Sequence, residues 1–98
     1  MTSKKVDLSV NYTPVNIEVF VQQFIYSVVT GILSVLKGYK EEQDIKLSID
    51  NDTVDITVGN NVIEINPFIS TFTRNTVIGM VSSLKDVGQI ERVEISIS

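Results

Sequence analysis

Shifted by 48 residues and laid over itself, the chain matches without a gap at 13 positions between residues 1–50 and 49–98, where this Val, Ile and Ser-rich composition would give roughly four by chance. VDLSV at 6–10 falls on VDITV at 54–58. FIYSVVTGILSVLK at 24–37 falls on FTRNTVIGMVSSLK at 72–85, and IKLSI at 45–49 on VEISI at 93–97. A fold for this chain therefore has to be one unit used twice, with copies at 1–48 and 49–98 in a single domain of 98 residues.

Each copy reads the same way by periodicity. Val6, Leu8, Val10 and Tyr12 alternate with Asp7, Ser9 and Asn11, as Val54, Ile56 and Val58 do with Asp55 and Thr57, so each copy opens with a half-buried strand. In the second copy GNN at 59–61 suits a tight hairpin turn and VIEI at 62–65 a short returning strand, before Asn66 caps a helix with Pro67 at its first position. In the first copy Thr13 and Pro14 either open the helix directly or form the matching turn, with Asn16 as cap. The helices are expected to end near Gly38 and Gly88. Each copy closes on an alternating strand, Ile45, Leu47, Ile49 or Val93, Ile95, Ile97.

Two strand-helix-strand units in tandem predict an α+β, ferredoxin-like two-layer sandwich, an antiparallel sheet with both helices on one face. The alternation supports one open face, because a sheet covered on both sides reads as continuous apolar runs. That architecture licenses no function by itself.

FVQQFIYSVVTGILSVLKG at 20–38 carries no charge until Lys37. A membrane span needs about 20 predominantly apolar residues; this stretch includes Gln22, Gln23, Ser27, Thr30 and Ser34, and its copy carries Arg74 and Asn75, so the reading is a core helix. On a helical wheel of about 100° per residue, a shared apolar arc runs through Phe20, Val21, Phe24, Val29, Ile32, Leu33 and Leu36, and through Phe68, Ile69, Phe72, Val77, Met80, Val81 and Leu84. That arc is assigned to the core. Gly31 and Gly79, beside Ser27, Ser34, Asn75 and Ser82, are expected to let the two helix backbones approach closely. Ile25, Val28 and Val35 stand opposite Thr73, Thr76 and Ser83, which gives the first helix an extra apolar strip for burial within the chain or against a second one.

Composition narrows the chemistry. With no cysteine and no histidine, the chain has no thiol nucleophile, disulfide, imidazole base or usual zinc ligand. A net charge of -4 and scattered basic residues argue against a nucleic-acid or anionic-membrane partner. The sheet's outward row, Asp7, Ser9, Lys46, Ser48, Asp55, Thr57, Glu94 and Ser96, has one basic residue and, apart from Tyr12, whose orientation the sequence leaves open, none of the aromatics of RNA-reading sheets. No phosphate-loop spacing occurs, and without histidine a serine nucleophile would need a lysine that no spacing singles out. Arg74 reads as an anion holder or, better, as an exposed partner to a nearby carboxylate or a simply solvated side chain. The opening residues lack a secretory core, and a cytoplasmic location without cofactor is expected.

The weak metal or carboxylate-pair candidates are Asp7 and Asp55, copy-related residues that would sit on neighbouring strands of a ferredoxin-like sheet. The sequence reading favours a non-enzymatic protein-interaction or self-associating domain. An anionic-metabolite sensor and an enzyme using Asp7 and Asp55 are the alternatives. It further expects a homodimer built partly on the first helix, through Tyr26, Val19 and Thr30.

Overall fold

A computed structural model describes residues 5–37, 39, 43–84 and 88–98. Its elements run β1 (Val6–Val10), β2 (Thr13–Val15), α1 (Val19–Leu33), β3 (Ile45–Asp50), β4 (Thr53–Val58), β5 (Asn61–Val62), α2 (Pro67–Ser82) and β6 (Arg92–Ile97). All six strands join one antiparallel sheet in the order β2-β1-β6-β3-β4-β5. The apolar residues of the four longer strands share one face with Ile25, Val29 and Leu33 of α1 and Val77 and Val81 of α2, forming a single core. The opposite face carries the polar row anticipated from the alternation, half-buried to exposed.

The duplication is written into the registers. Exchanging each element for its copy, β1 for β4, β2 for β5 and β3 for β6, reproduces the sheet order read backwards. Residue pairing follows: Leu8 opposite Ile95 becomes Ile56 opposite Leu47, and Ser9 opposite Pro14 becomes Thr57 opposite Val62. Leu47 lies opposite Ile95, its own copy, so the pseudo-twofold axis passes through the β3–β6 pair.

The strand order departs from the ferredoxin-like expectation. There the opening strands β1 and β4 would be neighbours at the centre; here the closing strands β3 and β6 hold the centre and β1 and β4 flank them. The hairpins are the physical reason. A strand has two hydrogen-bonding edges, and β1 spends one on β2 as β4 spends one on β5, which leaves each a single edge for the sheet. The hairpin reading and the ferredoxin-like order exclude one another.

Local chemistry sets the turns. In the first copy the alternative resolves as a hairpin: Asn11 and Tyr12 both take positive φ, 51° and 66°, the pairing of a type I′ turn. Asn11 also accepts at Oδ1 from the N–H groups of Glu91 and Arg92, both at 2.9 Å, and donates through Nδ2 to the Gln89 carbonyl at 2.8 Å, tying this turn to the entry of β6. In the second copy Gly59, at the station of Asn11, takes φ +60, which glycine adopts without steric cost.

The helix boundaries are partly corrected. Asn66 caps α2 as expected, its Oδ1 accepting from Ile69 N–H at 2.8 Å with Pro67 at the first position. Asn16 is not the cap of α1. Glu18 holds that place and makes no side-chain cap bond. Both helices end five or six residues before the expected glycines, at Ser34 and Ser83 as C-caps. Ser34 Oγ donates to the Gly31 carbonyl at 2.8 Å, and its copy Ser82 to that of Gly79 at 3.0 Å, satisfying carbonyls of the last turn. Gly38 lies outside the described residues, and Gly88, at φ +68, turns the loop before β6.

Candidate interaction surface

The rotation of the helices about their axes is the main correction to the sequence reading. The buried row is Ile25, Val29 and Leu33 in α1 and Thr73, Val77 and Val81 in α2, each the copy of the other. Ile25, assigned to an extra strip, is therefore core. The four phenylalanines, assigned to the core, are not: Phe20 is 56%, Phe24 63%, Phe68 71% and Phe72 48% exposed. At about 100° per residue, Phe24 and Phe72 stand a quarter-turn or more from the buried row, and Phe20 and Phe68 further still. The sheet decides this. Branched Ile, Val and Leu fill the space above strands already lined with Val, Ile and Leu, and the bulkier rings are left on the flank.

These four are all the phenylalanines in the chain. They pair along each helix at i, i+4 spacing: Phe20 and Phe24 edge to face with centroids 6.4 Å apart, Phe68 and Phe72 stacked at 6.1 Å. Around them the helix layer is nearly free of charge. Residues 19–33 hold none, and α2 holds only Arg74. Arg74 is turned to the β3–β4 turn, its Nε donating to the Asn51 carbonyl at 2.6 Å and lying 3.5 Å from Asp52 Oδ1. That realises the carboxylate-partner reading and leaves the outer side of the helix layer a mixture of apolar and uncharged polar side chains, such as Gln23, Ser27, Thr71 and Asn75.

The residues expected to meet a second chain lie on the same layer. Val19 and Tyr26 are exposed; Thr30 is half-buried, and its hydroxyl donates to the Tyr26 carbonyl at 2.6 Å. The expected close helix-on-helix approach at Gly31 and Gly79 is absent among the described residues, since a Cβ added at either glycine meets nothing within 4 Å. The small residues there line open surface. Among the described residues no helix is long and apolar enough to cross a membrane.

The Asp7–Asp55 pair does not form. β6 and β3 stand between β1 and β4, putting these carboxylates three strand spacings apart, about 14 Å, and in different rows of the sheet. Asp7 sits 3.9 Å from Lys5 Nζ instead. Among the described residues no group of three or more acidic side chains is placed to hold a metal ion. The open sheet face has one dense cluster. Arg92 bridges Glu94 at 3.0 Å and Asp50 at 3.2 Å and lies 5.1 Å from the Tyr12 ring centroid, while the Glu94 hydrogen bond holds its guanidinium still more firmly protonated than usual. One cation between two carboxylates, this cluster braces the strand ends and stays net negative. Shallow depressions at the β1–β2 edge, beside Asp7, Asn16 and Gln22, and on the open face between Lys46, Asp55 and Arg92 mix polar groups of both signs.

No family model, curated protein or solved structure matches this chain.

Proposed function

We propose that the chain is a non-enzymatic interaction domain whose working surface is the outer side of its helix layer. The phenylalanine rows carry this reading. Burying a phenylalanine is worth roughly 1.5–3 kcal/mol, so a domain that leaves four rings half in water forgoes several kcal/mol of its own stability. The same choice is made in both copies of the unit. At a neighbouring buried station the copies have drifted from Ile25 to Thr73, whereas Phe20 and Phe24 recur as Phe68 and Phe72. Exposed phenylalanines kept at the same two stations of both helices are what a surface covered by a partner requires. The separation of Asp7 from Asp55 and the mixed charge of the depressions give the enzyme and anion-sensor alternatives no comparable support.

A photo-crosslinking residue placed at Phe72, and in a separate variant at Thr57 on the open sheet face, tests the reading in cells expressing the full chain at native level. Adducts to protein are expected from position 72 and not from 57. The opposite pattern would refute the helix layer as the working surface.

A further inference from the structure

We infer that the partner on this surface is a second copy of the chain, the two helix layers meeting face to face. The inference rests on the reading above and adds the occupant. Its first support is area. Taking roughly 200 Å² per aromatic side chain, the four phenylalanines expose on the order of 500 Å². With the exposed Val19, and Val35 just beyond the end of α1, the summed exposed apolar area is roughly 700 Å², close to the ~800 Å² that each partner gives to a standard interface.

Charge is the second support. Each chain carries a net charge of -4, so two copies repel wherever their acidic surfaces approach, and the outer side of the helix layer, free of charge apart from the engaged Arg74, is the face on which that repulsion is least. Symmetry is the third. A twofold interface uses the same patch on both chains, and here the patch already consists of two copies of one aromatic row. Phe20 and Phe24 on α1 and Phe68 and Phe72 on α2 contribute to it, with Val19, Tyr26 and Thr30 beside them on α1. The contact thus draws on both helices, where the sequence named residues of the first as part of it.

Sedimentation equilibrium of the full chain, beside the double variant Phe24→Ser, Phe72→Ser, tests this. The unmodified chain should sediment as a dimer. The double variant should dissociate at least a hundredfold more readily while keeping its circular dichroism. A chain that stays monomeric at high concentration, or a folded variant that dimerises as before, overturns the proposal. Should the double variant fail to fold, spin labels on single cysteines decide, since the chain has none of its own. Labels at Val35→Cys should approach each other across the dimer more closely than labels at Lys46→Cys on the open sheet face, and the reverse order overturns the proposal. Crosslinks from position 72 to a different protein, with a monomeric chain, would refute the second copy while upholding the interaction surface.

Discussion

Helix α1 keeps three aliphatic side chains in its buried row, Ile25, Val29 and Leu33; α2 has Thr73, Val77 and Val81 at the same stations. The second row is smaller and includes a hydroxyl, Thr73 Oγ1, that is fully buried without a hydrogen-bond partner among the described residues. One turn of the wheel away, the two helices do not differ: Phe20 and Phe24 face water as Phe68 and Phe72 do. The ends differ again, α2 having a bonded Asn66 cap and α1 the unbonded Glu18. The buried station at 25 and 73 and the helix caps have diverged between the copies, while the buried Val29 and Val77 and the exposed phenylalanines have not.

The largest effect expected from breaking that comparison lies in α1, between adjacent residues. Ile25→Ala should cost about 3 kcal/mol in urea denaturation by opening a cavity under the helix, whereas Phe24→Ala, measured at a concentration where the chain is monomeric, should cost no more than about 1 kcal/mol. Equal losses would mean that Phe24 belongs to the core after all.

Next comes the cap. Asn66→Ala removes the acceptor for Ile69 N–H and should lower stability by about 1 kcal/mol, while Glu18→Ala at the equivalent station of α1 stays within about 0.5 kcal/mol of the unmodified chain. A large effect at Glu18 would show that the two helix starts are more alike than their hydrogen bonds indicate.

The smallest effect runs in the opposite direction. Thr73→Val keeps the shape of the side chain and removes the unpartnered hydroxyl, so the midpoint of thermal unfolding should rise, with a gain of roughly 1 kcal/mol or less. A fall would show that the hydroxyl has found a partner and that Thr73 is not a weakened copy of Ile25.

Most of the local structure was legible in the chain because its signals are local. Alternation at period two placed β1, β3, β4 and β6, and Asn66 with Pro67 placed the start of α2. The surface was half legible. The charge-free first helix pointed to a contact face, but its largest apolar side chains were read as core because apolar residues occupy about two-thirds of its circumference, and a wheel that full does not say which third faces the sheet. Glu18 was missed as the N-cap because it carries none of the usual capping chemistry.

By itself the sequence determined the internal repeat, the order of the four longer strands and two helices, and a sheet with one open polar face, since each follows from a repeat or a period written in adjacent residues; whether residues 13–15 form a strand it left open. Only the tertiary structure decided which strands are central and how each helix is rotated. Strand order depends on which edges remain free once the β1–β2 and β4–β5 hairpins have closed, and that competition involves residues as far apart as Leu8 and Ile95. Helix rotation depends on the shape of the layer beneath, where Ile25, Val29 and Leu33 fill the space above the sheet and four phenylalanines are left facing water.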